Sequence, residues 1–267
     1  MKTAIKIVLI NFLLAQIVAP LVIVIPYIFY LLSTSQPVSQ AAVMQTILIP
    51  AQLAGQLLMA LYLWKAGYIS KERSTWSPVS VSYLGLSVLA ILSCGVVVTA
   101  ITELMKGIPN IMEQAFDILS SGWGGILAIA IIGPTVEELV FRGAVLKALL
   151  KQYSPTKAIL ISSLLFAVFH LNPAQMLPAF LLGALLAWTY YKTASLIPCI
   201  LMHIVNNSLS VYLMARYPEA ESLGDIAGTS TYFIIVSAAA VILAGALLRM
   251  RRTSVAYPWK QETEPTN

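Results

Sequence analysis

Gly133 to Arg142 reads G-P-T-V-E-E-L-V-F-R, set inside an apolar segment that runs from Trp123 to Leu150. That segment is long enough to cross a bilayer, for which ~20 apolar residues suffice, yet it carries two adjacent carboxylates, Glu137 and Glu138. A charged side chain at the centre of a membrane helix costs ~2.5 to 3.5 kcal/mol on insertion scales, so such a residue marks a functional site and needs a partner. On a helix Glu138 and Arg142 are i and i+4 with the acid first, the favourable order for an ion pair. Glu137 points about 100° away around the axis and has no local counter-charge. A Glu-Arg pair alone would also suit a purely structural clamp between helices. The second carboxylate resists that explanation, because one guanidinium neutralises two carboxylates poorly. Glu137 must then be protonated, hydrated or matched from elsewhere in the chain.

The rest of the chain is apolar on the same scale. Hydrophobic residues make up 59% of the 267, charged residues only 10%, and the mean hydropathy is +0.84, values that exclude a soluble domain. The fold class expected is an all-α, polytopic helix bundle. Apolar segments able to span lie at 5–32, 41–64, 81–103, 123–150, 155–171, 173–191, 196–214 and 231–248, which makes about eight. The first resembles a signal peptide, but it is too long and lacks a small-residue cleavage site, so it is expected to be a span. Asn172-Pro173 marks a tight turn, with Pro173 opening the sixth helix.

The net charge of +5 does not point to nucleic acid, because the sixteen Lys and Arg are scattered singly at the ends of apolar runs. With the N-terminus cytoplasmic, inside sections hold Lys2, Lys6, Lys65, Lys71, Arg73, Lys147, Lys151, Lys157, Lys192, Arg249, Arg251, Arg252 and Lys260; outside sections hold Lys106 and Arg216. That bias of thirteen to two places both termini inside. Residues 105–122 show a roughly helical period and are expected to form a short amphipathic helix at the outer surface. Gly183 with Ala187, and Ala240 with Ala244, are small-residue pairs that let helices approach closely. Residues 1–250 are expected to be a single transmembrane domain, its motif-bearing core about 123–214, with 251–267 a polar cytoplasmic tail. Cys94 and Cys199 both lie in apolar stretches, so no disulfide framework or C-x-x-C metal knuckle is available. No internal repeat supports an inverted-repeat transporter.

The chain has two histidines, and both fall inside expected spans: His170 in F-A-V-F-H and His203 in H-I-V-N-N. Counted at 1.5 Å per residue from the cytoplasmic ends of their helices, Glu137 lies ~21 Å deep, His170 ~20 Å, His203 ~14 Å and Asn207 ~20 Å. Three helices thus deliver polar groups to one layer. His203 and Asn207 are i and i+4 and share a face, whereas Asn206 is turned away, making Asn207 the functional candidate and Asn206 the spare. Phe166, one turn before His170, would wall the imidazole or simply pack the bundle. A Glu, two His and an Asn are the parts for hydrolysis by water. Glu137 can take a proton from water, His170 can orient that water or relay the proton, and His203 with Asn207 can donate to a carbonyl oxygen that becomes an oxyanion.

Taken in order on successive helices, E-E-x-x-x-R (Glu137, Glu138, Arg142), F-x-x-x-H (Phe166, His170) and H-x-x-x-N (His203, Asn207) resemble the CAAX protease and bacteriocin-processing enzyme family, which includes the type II CAAX prenyl endopeptidases. The resemblance covers roughly 123–214. It implies a multi-pass protein of a bacterial plasma membrane that cleaves a membrane-associated or lipidated peptide or protein. It also implies that Glu137 and His170 activate the water, that His203 and Asn207 form the oxyanion site, and that Glu138, Arg142 and Phe166 give structural support. No cofactor is implied, and neither nucleic acid nor a fixed oligomeric state. A zinc site of two His and a Glu is the alternative chemistry, although no H-E-x-x-H is present and the ligands would come from three helices. Two other functions compete: a non-catalytic bacteriocin-immunity protein or envelope scaffold, and a proton-coupled transporter with Glu137 and the histidines as its relay.

Overall fold

The computed structural model describes residues 1–105, 107–220 and 222–252. From Thr253 onward the expected tail lies outside them, as do Lys106 and Lys260 of the charge count. Helix dominates and no strand occurs among the described residues. The long elements are α1 (Lys2–Ser33), α2 (Gln40–Lys65), α3 (Val81–Glu103), α5 (Trp123–Leu150), α6 (Pro155–Phe169), α7 (Pro173–Thr193), α8 (Leu196–Arg216) and α10 (Thr229–Arg251). Among the described residues, two short α-helices, α4 (Glu113–Ser120) and α9 (Leu223–Ala227), and one 3₁₀ turn, Arg73–Trp76, sit in the connections. The amphipathic helix expected in 105–122 is therefore eight residues, with Leu119 its buried contact.

Helix starts follow the sequence closely. Ser39, Ser80 and Ser195 accept hydrogen bonds from the backbone of Ala42, Tyr83 and Ile197, satisfying amides that open α2, α3 and α8. Pro155 and Pro173 take the first position of α6 and α7, where a missing N–H costs nothing.

The helices run back and forth so that connections collect at two ends. At one end the Met1 amino group donates to Gln152 Oε1 at 2.7 Å, and Ser195 Oγ donates to the carbonyl of Thr75 at 3.3 Å. At the other, Asn172 donates to Asn110 at 2.8 Å, and the Leu223 amide donates to Glu103 Oε1 at 2.7 Å. The grouping is the one the alternation of basic residues requires.

Among the described residues, six helices (α1, α2, α3, α5, α8 and α10) are long and apolar enough to cross a membrane. The protein is thus a multi-pass membrane protein. Of the two further spans expected, α6 has fifteen residues, and α7 has twenty-one but is not among the six. Their place in the bundle explains the difference. α7 packs Gly183, Leu186, Ala187 and Tyr190 into the core, and an inner helix needs less apolar surface than one facing lipid. α6 is ~22 Å long against an apolar layer of ~30 Å, so a helix that starts at the inner boundary ends within the layer, carrying His170 with it.

The helix bearing the two carboxylates is not a regular α-helix. Gly133–Glu138 is one α-helical stretch held between two π-helical ones, Ala128–Ile132 and Leu139–Leu146. A π-turn widens the helix and frees carbonyls from their usual partners, a feature found often at functional sites. Two carbonyls of the first π-helical stretch also accept from other helices. Gln56 Nε2 of α2 donates to Ala128 O at 3.1 Å, and Asn207 Nδ2 of α8 donates to Ile129 O at 3.0 Å.

Candidate active site

Glu138 and Arg142 form the expected pair, at 2.7 Å between Oε1 and Nη1, both shut off from solvent at 0% and 1% exposure. The pair is larger than its sequence spacing suggests. His203 Nδ1 also meets Glu138 Oε1 at 2.7 Å, and Arg142 Nη2 donates to the carbonyl of Gly183 at 3.0 Å. One carboxylate thus ties α5 to α8 while its arginine ties α5 to α7. Gly183 is required for this approach, since a Cβ there would stand 2.9 Å from Phe166 Cδ1 and 3.5 Å from Arg142 Nη2. The small pair in the sixth expected span therefore admits an arginine and a phenylalanine.

Glu137 has the opposite surroundings. Its side chain keeps 25% of its surface exposed, and its Oε2 lies 3.7 Å from His203 Nε2. Its nearest polar partner comes from another helix, one of the solutions the local sequence left open. The contact is too long for a hydrogen bond. A water oxygen about 2.8 Å from each atom would close a triangle with them, so the two groups can address one small oxygen atom. Carboxylates accept, so Glu138 Oε1 holds a proton on His203 Nδ1 and turns Nε2 toward Glu137.

His170 is the residue after the last turn of α6, and its Nδ1–H donates to the carbonyl of Phe166 at 2.8 Å, leaving Nε2 without a hydrogen bond among the described residues. Its ring meets the edge of Phe166 at 4.7 Å between centroids. Phe166 is buried, with Arg142 over its face at 4.7 Å and His203 against it at 5.8 Å. It gathers side chains of all three motifs around one ring. The sequence reading joined Glu137 to His170; the structure brings His203 to Glu137, and among the described residues no hydrogen bond joins Glu137 to His170.

Asn207 lies one turn from His203 on α8, as expected, with Nδ2 on Ile129 O and one N–H of the amide left over. Asn206, set aside as the spare, donates its own Nδ2 to Asn207 Oδ1 at 3.3 Å. That contact and the bond to Ile129 O together set which way the Asn207 amide faces. Its spacing hid it, because side chains of adjacent residues diverge on a helix, and only the length of two amides lets them meet. Gln56 was missed as well; a lone amide in the second apolar segment was the available signal.

Among the described residues, no group of three His, Cys, Asp or Glu side chains is arranged to hold a metal ion.

Comparison with known proteins agrees with the motif order. The family model for type II CAAX prenyl endopeptidase Rce1-like proteins matches residues 119–209, which contain Glu137 to Asn207. Residues 119–209, about a third of the chain, are thus similar to the CAAX protease family. Relatives with this family's chemistry in their names include the putative membrane peptidase YdiL of Bacillus subtilis (strain 168), 30% identical over 101 residues, and the membrane-embedded CAAX protease MroQ of Staphylococcus aureus (strain USA300), 30% identical over 102 residues. In each case the match takes in 36% of this chain and 41% of the relative, so the chain matches about two fifths of the length of these curated relatives. No solved structure matches. The matched stretch begins at the end of α4 and includes all of α5 to α7, while α1, α2, α3 and α10 lie outside it.

Proposed function

We propose that this protein is an intramembrane endopeptidase of the CAAX protease family, which hydrolyses a peptide bond in a membrane-associated or lipidated substrate. The observation that carries the reading is the division of labour between two neighbouring carboxylates: Glu138 sealed and shared by Arg142 and His203, Glu137 partly exposed and facing His203 Nε2. A structural clamp needs the first and has no use for the second.

In this reading Glu137 takes a proton from a water molecule as its oxygen bonds to the scissile carbonyl carbon. The carbonyl electron pair moves onto oxygen, and His203 and Asn207 donate to that oxyanion. With both ring nitrogens protonated, His203 gives Nδ1–H to Glu138 and Nε2–H to the site, and the charges of Glu137, Glu138, Arg142 and His203 sum to zero. Collapse of the intermediate breaks the C–N bond, and the leaving nitrogen receives the proton held by Glu137. His170, whose Nε2 carries no hydrogen bond among the described residues, supports the water or relays that proton. Neither step needs a metal. The names of the relatives, a membrane peptidase and a CAAX protease, favour catalysis over an immunity or scaffold role.

The test compares membranes holding wild type and Glu137→Gln by peptide mass spectrometry. A membrane-associated protein or peptide that accumulates uncut only with Gln at 137 supports the reading. Equal processing by purified wild type and variant would remove the glutamate mechanism.

A further inference from the structure

We propose that Asn172, clamped to Asn110 and Ile111, is a positioning residue that sets where His170 stands; the functional meaning of this, though not the clamp, rests on the catalytic reading above. Asn172 is wholly buried at the turn between α6 and α7, two residues after His170. It is the residue immediately before α7, a place where an Asn side chain ordinarily turns back to cap the first amides of its own helix. Here it does not. Its Nδ2 donates to Asn110 Oδ1 at 2.8 Å, and its Oδ1 accepts from the Ile111 amide at 3.2 Å. The Asn172 side chain thus gives up the local job and ties the turn to the segment that leads into α4, 62 residues away in the chain.

Between clamp and imidazole stands Leu171, whose φ of +53° is one that residues with a side chain seldom adopt. A conformation of that kind persists where neighbouring contacts over-determine it. On one side the turn is pinned by Asn172. On the other, the His170 amide bonds to Ala167 O at 3.2 Å and its ring to Phe166 O at 2.8 Å. His170 therefore has its ring oriented by its own helix and its backbone placed by the outer segment. Movement of residues 108–112 is transmitted through two hydrogen bonds to a side chain of the site.

The chain's two histidines make this measurable without a substrate. Protein labelled with 15N-histidine, in detergent micelles, displays two imidazoles, and a His203→Gln variant assigns them. Asn110→Ala removes the acceptor for Asn172 from an exposed position, so it folds even if Asn172→Ala does not. In both variants the His170 ring signals are expected to split or broaden while those of His203 stay in place. Asn110→Asp, which keeps the acceptor oxygen, should retain the wild-type His170 spectrum. Unchanged His170 signals in Asn110→Ala would overturn the proposal, and so would equal disturbance of both histidines, which would mean general loosening. Because no cleavage enters this readout, a failed catalytic reading and a failed clamp give different results.

Discussion

Glu137 and Glu138 are covalent neighbours with opposite surroundings, so replacing each should fail in a different way. Glu137→Gln preserves shape and removes the base; turnover should fall to background with unchanged melting in detergent. Arg142→Ala strands the Glu138 carboxylate in a sealed site, where breaking a buried pair costs ~3 to 5 kcal/mol, so the yield of folded protein and its melting temperature should drop. A variant that melts like wild type and lacks all activity would give Arg142 a direct chemical role. Asn207→Ala removes one oxyanion donor, a loss of ~100 to 1000-fold in turnover by precedent, and cleavage should stay measurable. Asn206→Ala should cost activity too, though less, because it removes one of the two hydrogen bonds that orient the Asn207 amide rather than deleting the amide. Wild-type turnover in Asn206→Ala would return that residue to the idle role its helical spacing suggests. Chelation is expected to leave cleavage unchanged, whereas loss with recovery on added zinc would replace the glutamate-activated water by a metal.

At the scale of the element, α5 depends on two helices other than itself. Gln56 and Asn207 donate to the carbonyls of Ala128 and Ile129 in its π-helical turn, the first of which also accepts from the Gly133 amide, and Gly133 makes room for Gln56. A Cβ at 133 would lie 2.8 Å from Ala128 O and 2.9 Å from Gln56 Nε2, and the first of those atoms is backbone that cannot step aside cheaply. Gly133→Ala should therefore lower the melting temperature despite the better helix propensity of Ala. Gln56→Ala should have a smaller effect of the same sign, since the Ala128 carbonyl loses one of two donors and keeps the Gly133 amide, a change of ~1 kcal/mol. If Gly133→Ala melts at or above wild type, the carbonyl at 128 is not held as described.

For the whole molecule, the thirteen-to-two charge bias predicts eight spans with both termini cytoplasmic, and the hydrogen bonds between connections sort those connections into the same two groups. Reporter fusions after Ser35, Ser74, Met112 and Tyr153 should read outside, inside, outside, inside. A Tyr153 fusion that reads outside would overturn the orientation and, with it, the depths assigned to the site.

The sequence alone determined the helical class, the near positions of all eight long helices and the Glu138–Arg142 pair, because hydropathy, proline and serine at helix starts, and i,i+4 spacing are local properties. It also singled out Glu137, His170, His203 and Asn207, since polar groups are too costly in an apolar segment to lie there without cause. Which histidine faces Glu137 was decided by tertiary structure alone: His203 reaches both carboxylates from a helix 65 residues further along, and no local pattern encodes how two helices are rotated against each other. The same holds for the second role of Glu138, the use made of Asn206, and the carbonyls of α5 that Gln56 and Asn207 hold. Those contacts arise from the packing of α2, α5, α7 and α8, where a π-turn of one helix meets an amide of another and both must be satisfied at once.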